Sequence, residues 1–268
     1  MGSKKADSVA SDRTILLSLA HPDDESFIAA GVTAKYRTRG AGVILVTATL
    51  GQEGKTGNPP VCAHKDLPKV REEELLTAAK IMGVEEVHLL GYHDRKLSDV
   101  PHMEIRERLV ALIREHRPQV VISFDPNGTN LHPDHIAISR FTSDAIAAAA
   151  DSRWCPNSGE PHQVQRLLWT TPIPFWELAR MENGNSQPGV DFVIDVQPWV
   201  PVKIQALKSH RTQHLSIDRI FFSSPDPVPL LRYEIFRQAW GPRLDHRPAD
   251  DLLAGISISE SLRRDELS

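Results

Sequence analysis

Two short segments of the chain bring histidine and aspartate together in spacings that suit a metal ion. Residues 20–25 read AHPDDE and follow an apolar run at 14–19 (TILLSL). Residues 132–135 read HPDH and come shortly after a second apolar run at 119–124 (QVVISF). A group of acids beside a histidine is costly to a fold unless positive charge lies among them. A bound metal ion is the simplest source of that charge.

The residue types point to a catalytic zinc site. Two histidines and one carboxylate, with a fourth position left to water, form a ligand set of zinc hydrolases. Zn²⁺ lowers the pKa of its water from about 15.7 toward about 7, and a carboxylate that does not bind the metal can take the proton. His21 and Asp24 are three residues apart, as are His132 and His135. The spacing leaves open which of the two later histidines is the ligand.

Each cluster alone also has a purely structural explanation. Asp23, Asp24 and Asp134 fit N-caps or first-turn acids, which helix dipoles favour, and the HPDH histidines fit an exposed helix start. Two such clusters, both following predicted strands, favour the metal interpretation. Glu25 is interpreted as a first-turn acid or as a partner of the ligands.

The elements that position these clusters alternate between strand and helix. Apolar strands separated by helices of 10 to 15 residues indicate βαβ units and a parallel sheet covered on both faces. We therefore predict an α/β fold, a Rossmann-like three-layer sandwich with a mostly parallel sheet. Ligands bind such sheets at the carboxyl edge, where both clusters should meet. The predicted strands are 14–20, 42–50, 86–90 and 119–124; the helices are 26–39, 69–82, one with an apolar stripe at 105–113, and 132 or 133 to 150.

The pattern is less regular after residue 150, and we predict C-terminal elaborations of the same domain. Residues 1–12 are predicted to be a disordered lead, and 13–268 a single domain. The predicted C-terminal elements are strands at 166–171 and 191–196, a helix at 201–213, a loop at 216–229 and a short helix at 230–240. The region 172–189 is not assigned.

Composition limits the class of protein. Hydrophobic residues make up 40% and charged residues 25% of the 268 residues, with a formal net charge of -4. No long basic run is present, which argues against a nucleic-acid or anionic-membrane partner. Two cysteines, no apolar leader and no apolar run of about 18 residues predict a cytoplasmic protein without a membrane span. A homo-oligomer is left open.

Further motifs carry a resemblance to a known family. Together with AHPDDE and HPDH, the sequence resembles the PIG-L/LmbE-like de-N-acetylases, which include deacetylases of N-acetylglucosaminyl-inositol compounds on the paths to mycothiol, bacillithiol and glycosylphosphatidylinositol. The supporting segments are 49–54 (TLGQEG), 71–75 (REEEL) followed by Gly83, 89–94 (LLGYHD), 210–213 (HRTQ) and 251–256 (DLLAGI). The resemblance implies hydrolysis of an N-acetyl amide on a small amino sugar or its conjugate.

The resemblance also assigns roles at the two clusters. It implies that His21, Asp24 and His135 bind the metal, Zn²⁺ or another divalent ion such as Fe²⁺, Mn²⁺ or Co²⁺. Asp23 would be the general base. His132 would polarise the amide carbonyl, steady the tetrahedral intermediate or protonate the departing amine. This agrees with the chemistry of amide hydrolysis, which needs a nucleophile, an oxyanion partner and a proton for the leaving group.

Substrate contacts are implied for residues on the same edge. Arg71 and Asp94 match family positions that face the sugar, although Arg71 could instead pair with a neighbouring glutamate. Glu53 lies in the loop 51–66, a candidate lid, and either lines the pocket or is a solvated loop acid. Asp125 directly follows the fourth predicted strand and could orient a ligand histidine. For His210, a capping or core role is as reasonable as a substrate contact.

Asn130 marks a departure from the family pattern. Some members carry DPNGGYGHPDH, where this chain has DPNGTNLHPDH, so Asn130 replaces a tyrosine. An amide can donate a hydrogen bond to an oxyanion but does not titrate near neutral pH. Either His132 acts alone or the substrate differs, so an amidase for a larger N-acyl amide or thiol conjugate is an alternative. A non-catalytic metal- or carbohydrate-binding module is the alternative of another class, and Asp23 beside a ligand argues against it.

Overall fold

The structure is a computed structural model that describes residues 13–171 and 189–257. The predicted disordered lead and nearly all of the unassigned region lie outside these ranges. The strands are β1 (Thr14–Leu19), β2 (Gly42–Thr49), β3 (Glu86–Tyr92), β4 (Val120–Ser123), β5 (Arg166–Thr170), β6 (Phe192–Asp195) and β7 (Tyr233–Trp240). The helices are α1 (Asp24–Ile28), α2 (Ala30–Thr38), α3 (Leu67–Met82), α4 (His102–His116), α5 (Gly128–Leu131), α6 (Pro133–Ala149), α7 (Val200–Ser209), α8 (His214–Phe221) and α9 (Val228–Leu231).

The strands form one mixed sheet in the order β3-β2-β1-β4-β5-β7-β6. Among the described strands, the pairs from β3 to β5 are parallel, and β7 runs antiparallel to both of its neighbours. All eight residues of β2 and five of the six in β1 are buried. Continuous burial explains why these strands are apolar throughout rather than alternating.

Helices cover both faces of the sheet. α4 packs with α6 on one face, and α2 and α3 pack with α7 on the other. The buried side of α4 carries Ile105, Leu109, Val110 and Ile113, as its apolar stripe predicts. Gly83, at φ 80°, ends α3 in the left-handed conformation that glycine adopts without strain. The α/β three-layer prediction is confirmed.

The strand order reverses at β1. β2 and β3 extend the sheet on one side of β1, and β4 and β5 extend it on the other. Because the helices switch faces at the same place, a crevice opens beyond the carboxyl ends of β1 and β4. The AHPDDE segment leaves β1 there, and the loop leading to HPDH leaves β4 there.

Two C-terminal predictions are wrong. The predicted helix at 230–240 is the short helix α9 followed by strand β7, and the predicted loop at 216–229 contains most of α8. Residues 233–236 (YEIF) are aromatic and β-branched residues around one acid, and pairing with β5 and β6 buries Ile235 and Phe236. Tertiary pairing of this kind decides strand formation more than local preference does.

The helix predicted at 26–39 is interrupted at Ala29, whose φ of -142° separates α1 from α2. The predicted helix at 201–213 ends at Ser209 and is followed by a 3-10 turn, Arg211–Gln213.

Within the described ranges, no helix combines the length and the apolar character that crossing a bilayer requires.

Candidate active site

The crevice brings His21, Asp24 and His135 together; we call these three residues the switch-point cluster. Nδ1 of His21 lies 3.1 Å from Nε2 of His135. The Asp24 oxygens lie 3.3 Å from Nε2 of His135 and 3.6 Å from Nδ1 of His21. Tetrahedral ligands at about 2.0–2.1 Å from a metal are about 3.3–3.4 Å apart. The donor spacing therefore fits a divalent metal ion.

The second ring nitrogen of both His21 and His135 is fixed by another group. Nε2 of His21 lies 3.2 Å from both Asp134 Oδ2 and Asp94 Oδ1. Nδ1 of His135 lies 3.1 Å from the Gly128 carbonyl oxygen. An N–H held by a carboxylate or carbonyl leaves the opposite ring nitrogen as a lone-pair donor to metal. Both rings are thus oriented with a lone pair toward the third member, Asp24.

Asp24 is buried, and two backbone N–H groups fix its carboxylate. Oδ2 accepts from the N–H of His21 at 2.7 Å and of Ala20 at 3.2 Å. Burial works against ionisation, yet the charges and hydrogen bonds of His135 and His21 together outweigh it and hold the pKa of Asp24 well below its usual range. A deprotonated carboxylate is the form that binds metal.

Positive charge is favoured throughout the cluster. Burial disfavours a charged imidazole at His21, but its bond to Asp134 and the carboxylates of Asp24 and Asp94 raise the pKa of His21 well above its usual value. At Asp94 burial raises the pKa, but the hydrogen bond and charge of His21, with the Glu53 N–H and Arg71, outweigh burial and lower it. A divalent ion satisfies the same demand for positive charge.

His132 caps helix α6 beside the cluster. Its Nδ1 accepts from the N–H of Asp134 at 3.2 Å, and its ring meets that of His21 edge-on at 4.6 Å. Burial lowers the pKa of His132, and the neighbouring His21 and His135 lower it further. A neutral ring that accepts at Nδ1 carries its proton on Nε2. His132 also offers a ring nitrogen within 4.8 Å of those of His21 and His135.

Asp23 occupies a strained backbone position at the start of α1. Its φ is 120° and its ψ is -31°, a conformation that costs a non-glycine residue about 1–3 kcal/mol. The Asp23 N–H donates to Glu25 Oε2 at 3.0 Å, and the Asp23 carboxylate lies 3.3 Å from the Arg71 guanidinium. Burial raises the pKa of Asp23 to about 6, against the lowering effect of Arg71.

Arg71 is buried and bonds to the backbone of the segments that follow β1 and β2. Its guanidinium donates to the Pro22 carbonyl and, at 3.0 Å, to the Gly51 carbonyl. A Cβ at residue 51 would lie 1.8 Å from the guanidinium, and φ there is 62°, so a side chain at residue 51 would be strained and would displace Arg71. The contacts place Arg71 against Asp23 as well as in the cavity wall.

The remaining predicted residues line the same edge in different ways. Asp94 accepts from the Glu53 N–H at 3.1 Å, whereas the Glu53 side chain is about half exposed. Asn130 is exposed and accepts from the His132 N–H at 3.0 Å. The Asp125 carboxylate accepts from the N–H groups of residues 127 and 129, so it holds the loop whose Gly128 carbonyl faces His135.

These residues surround a cavity of about 600 Å³. His21, Asp23, Asp24, His132 and His135 all contribute to its wall. Glu53, Gly54 and Lys55 of the predicted lid border the same space. Apolar side chains form another part of the wall, among them Phe27, Phe124, Ile220 and Ile235.

Sequence comparison relates the chain to known deacetylases. The family model of PIG-L, described as GlcNAc-PI de-N-acetylase, matches residues 16–146. The 1D-myo-inositol 2-acetamido-2-deoxy-alpha-D-glucopyranoside deacetylase of Streptomyces avermitilis is 32% identical over 291 residues, which cover 92% of this chain and 98% of that enzyme. The chain belongs to the PIG-L family.

Two other proteins extend the likeness. A "probable N-acetyl-alpha-D-glucosaminyl L-malate deacetylase 2" of Bacillus anthracis is 32% identical over 204 residues, covering 75% of this chain and 82% of that protein. The N,N'-diacetylchitobiose deacetylase structure from Pyrococcus horikoshii superposes with a TM-score of 0.66 over 84% of this chain and 83% of that chain, at 20% identity. The sequence relatives confirm the predicted family and the enzyme class, an amide hydrolase, and the structural likeness confirms the fold.

The structure adds family-motif residues whose contacts the sequence did not predict. Within HRTQ, the buried His210 donates from Nε2 to Glu25 Oε1 at 2.7 Å, and Thr212 donates to Glu74 of the REEEL segment at 2.7 Å. Gln213 donates to the Lys55 carbonyl at 2.9 Å. The HRTQ segment therefore ties three parts of the active edge together. Its presence among the PIG-L motifs was the only available signal.

Proposed function

We propose that this PIG-L family chain is a metal-dependent de-N-acetylase that removes the acetyl group from an N-acetylglucosamine conjugate. The observation that carries the proposal is the convergence of His21, Asp24 and His135 at metal-ligand spacing beside Asp23 in one cavity. The named relatives act on N-acetylglucosamine-type conjugates of inositol or malate, which supports this substrate class.

The switch-point cluster would hold the ion, for which Zn²⁺ is the first choice given two imidazoles and one carboxylate. When bound, such an ion supplies Lewis acidity and makes hydroxide available at neutral pH. His21 and His135 each present one lone pair, because their other ring nitrogens face a carboxylate or a carbonyl.

Asp23 takes the proton from the attacking water. Burial brings its pKa to about 6, close to the working pH at which a general base is most effective. The water oxygen bonds to the acetyl carbon, and the carbonyl oxygen becomes an oxyanion. Asp23 then passes the proton to the nitrogen as the C–N bond breaks, which releases acetate and the free amine.

His132 stabilises the oxyanion. Because its Nδ1 accepts from the Asp134 N–H, its proton is on Nε2, which is the atom available to donate to the substrate oxygen. The lowered pKa of His132 keeps the ring neutral, so it donates a hydrogen bond without giving up a proton. The exposed Asn130 has an amide that could donate to the same oxygen, in the place of the family tyrosine.

The direct test measures acetate released from N-acetylglucosaminyl conjugates of inositol and malate. Chelation should abolish release, and added Zn²⁺ should restore it. Asp23→Asn should lower kcat by about 10²–10⁴-fold while the bound metal is retained, because only the base is lost. Asp245→Asn, at an exposed acid, is the matched control and should behave as wild type. Activity that is indifferent both to chelation and to Asp23→Asn would contradict the mechanism.

A larger N-acyl amide is the second candidate substrate. The apolar wall formed by Phe27, Ile220 and Ile235 favours it, because a sugar alone offers little apolar surface to bury there. Amides with longer acyl groups, or thiol conjugates, belong in the same panel. A kcat/KM that rises with acyl length would select this candidate, whereas a preference for acetyl would select the first.

A further inference from the structure

A second group of metal-ligating side chains lies on the outer strand of the sheet. Glu86 and His88 are two residues apart on β3, so both side chains point to the same face of that strand. His116 is the last residue of α4 and meets them there. We call Glu86, His88 and His116 the outer-edge cluster.

The donor atoms of this cluster converge. Nε2 of His88 lies 2.8 Å from Nε2 of His116 and 3.4 Å from Glu86 Oε1. One ligand atom of each residue lies within 4.8 Å of the other two. The two rings are 4.9 Å apart between centroids and tilted by 53°, so the contact is between nitrogens and not a stack.

Two ring nitrogens this close cannot both direct bare lone pairs at each other. Lone pairs on both would repel, so either one nitrogen carries a proton and donates it, or both bind a cation. A shared proton engages only the two nitrogens, whereas a cation also uses the carboxylate of Glu86, which is directed at the same nitrogen of His88. The carboxyl end of α4 adds negative potential near His116.

The outer-edge cluster is separate from the proposed active site. His88 lies four residues before Tyr92, the last residue of β3, and strand residues advance about 3.3 Å each. About 13 Å of strand therefore lies between His88 and the carboxyl edge of the sheet. Among the described strands, β3 pairs only with β2, and α4 also contacts it where Arg108 donates to the Leu90 carbonyl.

We infer that Glu86, His88 and His116 form a second binding site for a divalent transition-metal ion such as Zn²⁺, which fastens the outer strand β3 to the end of α4. Two imidazoles and a carboxylate are ligands that Zn²⁺ accepts, and the open positions would be filled by water. The ion would bind the folded chain and so stabilise it by mass action.

Metal stoichiometry tests this inference. Untagged full-length protein is stripped with a chelator, dialysed against Zn²⁺ and measured for bound metal per chain. Wild type should hold about two equivalents, and His88→Gln and His116→Gln should each hold about one. His246→Gln, at an exposed histidine outside both clusters, is the matched control and should still hold about two.

The reciprocal variant separates this site from the proposed function. Asp24→Ala should lose the switch-point equivalent and keep the outer-edge one. One equivalent in wild type, lost with Asp24→Ala, would overturn the inference and leave the active site intact. Two equivalents in both His88→Gln and His116→Gln would also overturn it. Circular dichroism of each variant establishes folding, and the two outer variants provide independent measurements.

Discussion

The two histidine clusters have the same ligand types but different surroundings. In the switch-point cluster, His21, Asp24 and His135 are each less than 10% exposed. In the outer-edge cluster, the side chains of Glu86 and His88 are 54% and 20% exposed. Electrostatic interactions are much stronger when water is excluded, so the same donor set attracts a cation more strongly at the switch point.

The larger difference lies in the groups around the ligands. At the switch point, a carboxylate or carbonyl fixes the second nitrogen of each histidine, and two backbone N–H groups hold Asp24. Asp23 and His132, the proposed base and hydrogen-bond donor, line its cavity. The contacts of the outer-edge cluster are mainly among its own members. Donor spacing alone therefore suffices for binding a metal, whereas hydrolysis depends on the oriented surroundings.

Removing one ligand from each cluster should give the largest contrast. His135→Ala should lower acetate release by about 10³-fold or more, because the Lewis acidity it helps to hold is worth several kcal/mol of barrier. His116→Ala should leave kcat and KM unchanged. Both variants are assayed at equal protein concentration with Zn²⁺ added. Equal losses in the two variants would show that the clusters are functionally linked.

Substitution of Glu25, which accepts a hydrogen bond from the Asp23 N–H, should give the next largest effect. Glu25→Ala removes the acceptor for the strained Asp23 N–H and leaves the buried His210 without its carboxylate. We expect kcat to fall about 10–100-fold with bound metal retained, by analogy with losses of groups that orient metal ligands. The free energy of unfolding should fall by about 3–5 kcal/mol, the usual result of breaking a buried pair.

A conservative variant separates positioning from stability in this experiment. Glu25→Gln keeps an acceptor for the Asp23 N–H but removes the charge facing His210. It should recover most of kcat while remaining less stable than wild type. A Glu25→Ala protein with wild-type kcat would show that Asp23 keeps its conformation without the hydrogen bond to Glu25. The outer-edge variant His88→Ala, compared in parallel, should leave kcat unchanged.

The sequence predicted the half of the fold that carries the site. The fully apolar runs that became β1, β2 and β4 indicated a parallel sheet, and the parallel sheet brought AHPDDE and HPDH to one edge. The strand order could not be read from periodicity, so the position of the crevice between β1 and β4 came only with the structure. Strand β7 was predicted as a helix because its pairing partners are distant in the chain.

The proposed ligands were easier to single out from the sequence than the groups that orient them. His21 and Asp24 are neighbours in one motif, and metal-ligand spacing is visible there. The carboxylate of Asp94 approaches His21 from the loop after β3, that of Asp134 approaches it from the first turn of α6, and Glu25 meets His210 across 185 residues. Contacts of that range depend on how helices and loops pack, which a local sequence pattern does not contain.

The buried Glu25–His210 pair should also give stability a pH dependence. Burial lowers the pKa of His210, but the Glu25 carboxylate outweighs it, and the net pKa is raised above the usual value. A raised folded-state pKa means that the folded chain binds the proton more tightly than the unfolded chain does. The stabilisation is therefore complete below about pH 6.5 and is lost as pH rises through the folded-state pKa.

His210→Gln tests this sign, because glutamine keeps a donor for Glu25 but carries no charge. The difference in unfolding free energy between wild type and His210→Gln, from urea titrations of metal-loaded protein, should be largest near about pH 6 and shrink as pH rises. Subtracting the unfolding free energy of the variant from that of wild type cancels the pH dependence that metal binding imposes on both proteins. His246→Gln should give a flat difference over the same range. If this difference in unfolding free energy grew with pH, His210 would be neutral in the folded chain. Glu25 would then accept the Asp23 hydrogen bond without a charged partner.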